Sequence, residues 1–142
     1  MTYETLKHLI RALLIGDNQL TENKQELLAL ISYGFVKVAN ESMALKLSTE
    51  DPKLNILRSG PGNTFVRMPS LPAEDGDVMD IDLELCYPLA RYIASFVSRE
   101  KGGIHIKEAK NLINEYNRKV YTYMDLLDQR AEQQEMNEGY IS

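Results

Sequence analysis

The stretch "DIDLELCYPLARYIASFVSRE", residues 80–100, has apolar side chains at steps of about four residues. Side chains at this spacing line one face of an α-helix, so we predict a helix here that packs this face into the protein core. Asp80 is placed to cap its start, and Asp82 and Glu84 lie where the helix dipole stabilises carboxylates. Pro88 removes the backbone bond to the carbonyl of Glu84, so we expect a kink. The apolar positions are Ile81, Leu85, Leu89, Ile93 and Phe96 or Val97.

Two helices are predicted before this one. "TYETLKHLIRALLIG", residues 2–16, has apolar residues at helical spacing and ends on a glycine. "TENKQELLALISYGFVKVANES", residues 21–42, has a broad apolar face, with Thr21 as its predicted N-cap. Gly34 lies inside this second helix, where glycine costs about 1 kcal/mol relative to alanine. We infer that a neighbouring backbone approaches closely at this glycine.

A long last helix is predicted from about Lys107. Its apolar stripe ends near Leu127, although residues typical of helices continue beyond that point. Gly102 and Gly103 are predicted to end the preceding helix. Residues 136–142 are polar and contain a glycine, and we treat them as a C-terminal tail.

The residues between the second and third helices, 44–72, have a different composition, rich in glycine and proline. Leu54, Ile56 and Phe65 alternate with polar neighbours on the two sides of a Gly-Pro-Gly turn, which predicts two short strands in a hairpin-like loop. The predicted fold class is therefore mainly α. We expect a bundle of about four helices with a short β-hairpin or extended loop inserted between helices 2 and 3, in a single domain of residues 1–135.

The composition indicates one globular domain. The chain has 142 residues, of which 44% are hydrophobic and 26% charged. A net charge of −5 argues against a nucleic-acid binder that works by neutralising phosphates. The lone Cys86 lies between Leu85 and Tyr87 and is interpreted as a buried thiol. No apolar run reaches the ~18 residues of a membrane span and Glu4 lies in the first turn, so we expect a soluble, intracellular protein.

Residues 73–84, "AEDGDVMDIDLE", contain six carboxylates, which raises the question of a metal site. An EF-hand calcium loop needs acidic ligands at alternate positions and a glycine at the sixth. Counted from Asp75, Met79 occupies the fifth position and Asp80 the sixth, so the pattern fails. We interpret the segment as a solvated loop followed by a helix start, with a weak cation site as the alternative. The carboxylates are Glu74, Asp75, Asp77, Asp80, Asp82 and Glu84.

The other reactive side chains form no complete motif. His8 and His105 have no Cys or His at zinc-ligand spacing. The sequence "SGPGNT", residues 59–64, lacks the Gly-Lys-Ser/Thr ending of a phosphate-binding loop. No Ser, Thr or Cys lies in a nucleophile motif. We predict no catalytic residue, cofactor or metal.

Four acidic residues recur at heptad-like spacing on the last helix. Paired acidic motifs on facing helices hold magnesium in some all-helical nucleotide pyrophosphatases, but Glu22 and Glu26 have the wrong separation for a second pair. We favour an edge that faces solvent, a partner or a channel. Its residues are Asp125, Asp128, Glu132 and Glu135.

Two segments are predicted to contact partners. Leu54 and Ile56 lie in the inserted loop, whose strands could complete a sheet with another subunit. Met136, Tyr140 and Ile141 are apolar anchors on a polar tail and could become ordered on docking. A frayed terminus is the alternative for the tail.

Four stretches carry a resemblance to a known family: "ELLALISYGFVKVANES", "FVRMPSLP", "DIDLELCYPLARYIASFVSREKGG" and "EAKNLINEYNRKVYTYM". In their order of short helix, helix, β-loop, helix and long helix, they resemble the head-to-tail adaptors of tailed bacteriophages. These proteins are also called connector or head-completion proteins. The resemblance is one of layout and covers roughly residues 5 to 127.

This resemblance implies a structural virion protein without catalytic residues, assembled in the host cytoplasm. Family members form a ring, commonly of twelve copies, beneath the portal of the capsid; the ring extends the DNA channel and presents a surface for the tail or nozzle protein. Carboxylates facing such a channel would repel the DNA backbone and let it slide. A stopper or tail-terminator role fits some of the same features.

Two alternatives come from other classes. One is a small all-helical metal-dependent nucleotide hydrolase that uses carboxylates around residues 80–84 and 125–135. The other is a cytoplasmic regulator that binds proteins.

Overall fold

The computed structural model describes residues 1–42, 48–49, 56–59, 65–67 and 69–141. Within these residues the chain forms a small helical bundle, which confirms the mainly α prediction. A three-stranded sheet lies between the second and third helices. In chain order the elements are α1 (Tyr3–Leu13), α2 (Lys24–Glu41), β1 (Ser48–Thr49), β2 (Ile56–Ser59), β3 (Phe65–Arg67), α3 (Leu83–Val97) and α4 (Gly102–Ile141).

Helix α3 is the centre of the bundle and packs against α1, α2 and α4. It corresponds to the stretch with the four-residue apolar spacing. Leu89 and Ile93 on that face are fully buried, whereas Phe96 is 39% exposed and Val97 packs at the core edge. The helix continues through Pro88, which is itself buried. Its buried residues are Leu85, Cys86, Pro88, Leu89, Ala90, Tyr92, Ile93 and Ala94.

Gly34 of α2 packs directly against α3. A Cβ atom at this position would lie 2.6 Å from Cδ1 of Leu89 and 3.3 Å from Cγ1 of Ile93. The sequence predicted a close approach here, but of a neighbouring backbone. The structure instead places side chains of α3 against the glycine. Core side chains of α3 therefore occupy the space that a side chain at position 34 of α2 would take.

Helix starts differ from the predicted ones by a few residues. Asn23, not Thr21, caps α2, and its Oδ1 accepts a bond from the backbone N–H of Glu26 at 3.1 Å. Asp82, not Asp80, occupies the N-cap position of α3, but its side chain makes no capping bond. Helix α4 begins at Gly102 rather than near Lys107. Gly102 and Gly103 therefore form the first turn of α4 instead of ending the preceding helix.

The sheet has the strand order β1–β3–β2 with antiparallel neighbours. Phe65 of β3 pairs with Thr49 on one side and Ser59 on the other. The sequence predicted two strands; β1 has only two residues, too few to show a period of two. Ile56 begins β2, whereas Leu54 lies outside the described residues.

Helix α4 is a single helix of 40 residues. It continues through residues 136–141, so most of the segment treated as a tail has helical backbone. None of the described helices is both long enough and apolar enough to span a bilayer.

Candidate partner-binding surface

The second half of α4 extends beyond the rest of the α3–α4 pair. The Tyr116 hydroxyl donates a hydrogen bond to Oδ2 of Asp82 at 2.5 Å, next to the first residue of α3. One turn further, Nζ of Lys119 lies 3.0 Å from Oε2 of Glu84. The helix therefore passes the start of α3 near these residues. Residues 121–141, which we call the arm, continue for about 30 Å at the usual helical rise.

The side chains of α4 are buried only in its first half, within the described part of the chain. Ala109, Ile113, Tyr116 and Val120 pack into the core. In contrast, the arm side chains that the structure describes are all exposed. They are Thr122, Gln129, Arg130 and Gln133.

Most of the partner residues predicted from the sequence lie on this arm. The helix carries the backbone of the acidic positions and of the apolar positions near the C-terminus, and it brings them together on one element. Their side chains, like that of Ile56 in β2, lie outside the described part of the structure. The arm positions are Asp125, Asp128, Glu132, Glu135, Met136, Tyr140 and Ile141.

A polar network fixes the base of the arm to α2 and α3. Nδ2 of Asn117 donates to the backbone carbonyl of Glu41 at 2.8 Å, at the end of α2. The Glu41 carboxylate in turn accepts a hydrogen bond from the hydroxyl of Tyr92. Burial, followed by the adjacent Glu41 carboxylate, raises the pKa of Tyr92, which keeps this hydroxyl protonated as a donor. The direction in which the arm leaves the bundle is therefore set by three helices.

Two large apolar side chains are exposed beside this base. Leu83 is 54% exposed and Tyr87 45% exposed, and they lie one turn apart on α3. Glu84, which pairs with Lys119, lies between them in the sequence. These exposed apolar side chains lie next to the arm and offer apolar contact area to another protein.

The acidic segment before α3 supports the fold around α1. Asp75 pairs with Nζ of Lys7 at 2.6 Å. Oδ2 of Asp77 accepts bonds from the backbone N–H groups of Ala73 at 2.8 Å and Glu74 at 2.9 Å. The bond from Glu74, followed by that from Ala73, lowers the pKa of Asp77. These carboxylates hold a turn against the start of α1 and are not arranged around a common centre.

The remaining acids of this segment have other partners. Oδ2 of Asp80 accepts from the backbone N–H of Ser70 at 2.8 Å. Asp82 and Glu84 accept from α4, as described above. This agrees with the interpretation of the segment as a loop followed by a helix start, with the difference that Asp82 binds a tyrosine instead of capping the helix.

Asp17, for which the sequence predicted no role, joins two loops at the opposite end of the bundle. Its carboxylate accepts bonds from Oγ of Ser98 at 2.5 Å and from the backbone N–H of Arg99 at 2.9 Å. These bonds join the α1–α2 loop to the α3–α4 loop. The bond from Arg99, followed by that from Ser98, lowers the pKa of Asp17 to about 2. An Asp after the glycine that ends a helix was the only sequence signal.

His105 is buried in the first turn of α4, at 3% exposure. Its Nδ1 lies 3.1 Å from Nη1 of Arg91, and its Nε2 has no hydrogen-bond partner among the described residues. Because the guanidinium is always a donor, Nδ1 is the acceptor and the proton lies on Nε2. Burial, followed by the charge of Arg91, lowers the pKa of His105.

No three or more His, Cys, Asp or Glu side chains cluster as a metal site within the part of the chain that the structure describes. No protein-family model, curated protein or solved structure matches the chain. The described residues show a helical bundle and a helix α4 whose second half extends past the start of α3.

Proposed function

We propose that the chain is a structural virion protein, a head-to-tail adaptor that forms a ring beneath the portal of a tailed bacteriophage. In this role it extends the DNA channel and provides the surface to which the tail or nozzle protein attaches. The proposal is supported by the arrangement of a helical bundle, a small sheet between α2 and α3, and a long α4. It is the arrangement that the sequence resemblance implies.

The arm is the observation that carries the proposal. A helix that extends about 30 Å past the start of α3 gives one subunit reach toward a second protein. Its base is fixed by hydrogen bonds to α2 and α3, so its direction is defined before a partner binds. An adaptor needs a subunit body for ring contacts and a separate element for the portal, and the bundle and arm supply both.

The charge of the chain suits a DNA channel. The net charge is −5, and the arm contributes four acids at heptad-like spacing. If these acids line the lumen, they repel the phosphate backbone and let DNA slide; if they face the portal, they pair with its basic residues. Exposed Leu83 and Tyr87, beside the arm base, provide apolar contact area for the same partner.

Native mass spectrometry of portal rings mixed with an excess of the full chain tests this function. We expect the portal mass to increase by a whole ring of added copies, with twelve as the expected number. An unchanged portal mass at high excess contradicts the proposal.

Matched variants locate the contact in the same experiment. Leu83→Ser combined with Tyr87→Ser removes the apolar contact beside the arm. We expect this variant to need a chain concentration at least about tenfold higher to form the ring on the portal. Ile15→Ser is the control, because Ile15 is 77% exposed but lies at the Asp17 end of the bundle. Equal loss with the control variant would place the portal contact elsewhere.

A further inference from the structure

The outward face of α4 changes its charge halfway along the helix. In the first half, the side opposite the buried residues carries Lys107, Lys110 and Arg118, which are exposed. These cations pair with no carboxylate within the described part of the chain. By sequence spacing along the arm backbone, acidic positions follow on the same side of the helix, because Arg118 and Asp125 are seven residues apart, close to two helical turns. The acids are Asp125, Asp128, Glu132 and Glu135.

We propose that two copies of the chain pair through this face, with their α4 helices antiparallel around a two-fold axis. In this arrangement the basic first half of each α4 lies along the acidic arm of the other copy. A two-fold interface must be self-complementary, and a helix with one positive and one negative half meets this requirement only when antiparallel. The proposal goes beyond the adaptor function, because it concerns the free chain without a portal.

The positions of the charges fix the register. If Tyr121 lies at the axis, a residue before it lies level with the residue equally far after it in the other copy. Lys107 and Glu135 are each 14 residues from Tyr121, and Lys110 and Glu132 are each 11 residues from it.

The remaining positions agree with the same register. Arg118 and Asp125 are three and four residues from Tyr121. Asn114, which is exposed and neutral, lies level with Asp128 of the other copy. Near the ends of the pair, Ile104 is 60% exposed and lies within one turn of the level of Tyr140. Each α4 therefore offers an apolar contact at the ends and charge pairs between them.

Exposed ion pairs are individually weak and are screened by salt. We therefore expect the pairing at high protein concentration and low ionic strength, and we expect salt to weaken it. Sedimentation velocity of the full chain should show a dimer whose dissociation constant rises at least about tenfold between about 0.01 M and about 1 M salt. A monomer under every condition, or a dimer indifferent to salt, overturns the proposal.

Charge reversal in the two halves supplies the decisive comparison. One variant combines Lys107→Glu with Lys110→Glu, and a second combines Glu132→Lys with Glu135→Lys. Each variant alone should be monomeric, because its two halves carry charge of one sign. Mixed in equal amounts they should form a heterodimer, which native mass spectrometry identifies by mass. The proposal is wrong if either variant dimerises alone as the natural chain does, or if the mixture does not.

Cysteine cross-linking tests the register. Under mild oxidation, Tyr121→Cys should give a disulfide-linked dimer, because the two thiols meet at the axis. Gln129→Cys is the control: it is eight residues from the axis, so its two copies lie about 24 Å apart along the helices. The native Cys86 is buried and is left in place. Equal cross-linking at both positions contradicts the register.

The outcomes separate this inference from the adaptor function. If the charge variants lose portal binding but dimerise unchanged, the face serves the portal and the dimer proposal fails. If the chain dimerises as described but leaves the portal mass unchanged, the adaptor function fails and the inference stands.

Discussion

Gly34 sets the distance between α2 and α3 at the centre of the bundle. Leu89 and Ile93 of α3 occupy the space beside this glycine. A Cβ atom at position 34 would lie only 2.6 Å from Cδ1 of Leu89. In Gly34→Ala, overpacking costs about 1–3 kcal/mol and better helix propensity returns about 1 kcal/mol. We expect a net loss of about 0–2 kcal/mol in the free energy of unfolding, measured by urea denaturation.

Gly103→Ala is the matched control for this change. Gly103 lies in the first turn of α4, and a Cβ atom there has no neighbour within 4 Å. The substitution is expected to raise the unfolding free energy by up to about 1 kcal/mol. If both alanine variants were stabilised equally, the close packing at Gly34 would be contradicted.

The buried His105 makes the stability of the fold depend on pH near neutrality. Burial and Arg91 lower its pKa in the folded chain below the ordinary 6.5. As pH decreases, His105 is therefore protonated at a higher pH in the unfolded chain than in the folded chain. The free energy of unfolding falls from pH 6.5 down to the lower pKa that His105 has in the folded chain. Above pH 6.5 this contribution is fully present. We expect the slope of unfolding free energy between pH 7 and 5 to become smaller in His105→Gln.

The slope, not the absolute stability, is the readout, since any substitution of a buried side chain also changes packing. His8→Gln is the control, because the His8 side chain is 67% exposed. A slope that is the same in His105→Gln and the natural chain would show that His105 does not contribute to the pH response.

At the scale of elements, α4 divides into a packed half and an arm. The core contacts of its described side chains end at Val120. Gln129→Pro places a helix breaker in the arm, more than two turns beyond the core, where Gln129 is exposed. We expect the circular dichroism signal at 222 nm to decrease while the melting temperature of the bundle stays within about 2 °C of the natural value.

Gln129→Ala is the control for the loss of the glutamine side chain and should keep the helical signal. A fall in melting temperature of more than about 5 °C in the proline variant would mean that the arm packs on the bundle. The arm would then no longer be a free element for a partner or for a second α4.

Much of this element layout was predictable from the sequence because four apolar stripes have helical spacing. The stripe of α3 placed Leu89 and Ile93 in the core, and both are fully buried. Helix starts were less predictable, since several polar residues compete to cap: Thr21 was expected where Asn23 caps. Gly102 begins α4 although glycine has a low helix propensity, so local propensity alone predicted the wrong start.

The candidate site was predictable only in part, for a physical reason. The spacing of Asp125, Asp128 and later acids placed them on one helix face, but the length by which α4 exceeds α3 depends on tertiary packing. The bond from Tyr116 to Asp82 lies where α4 passes the start of α3, and this pair is 34 residues apart in the sequence. Similarly, the bonds of Asp17 to residues 98 and 99 form only after the two loops are brought together.

At the scale of the whole molecule, the two ends of the bundle differ. One end is closed by Asp17, which joins the α1–α2 and α3–α4 loops through Ser98 and Arg99. The other end carries the sheet connection and the arm. The Asp17 end is also held by Nδ2 of Asn18, which donates to the backbone carbonyl of Val97 at 3.2 Å.

The bonds of Asp17 predict how the whole fold responds to acid. The pKa of Asp17 is lowered from 3.8 to about 2 in the folded chain by hydrogen bonds from Arg99 and Ser98. A lowered folded-state pKa gives stability that is fully present above pH 3.8 and is lost as pH falls through about 2. In Asp17→Asn this loss cannot occur, so the melting temperature should depend less on pH between 4 and 2 than in the natural chain. Glu22→Gln, which removes an exposed carboxylate of the same loop, should retain the full dependence. The same pH slope in Asp17→Asn and the natural chain would show that the Asp17 bonds do not hold the two loops together in solution.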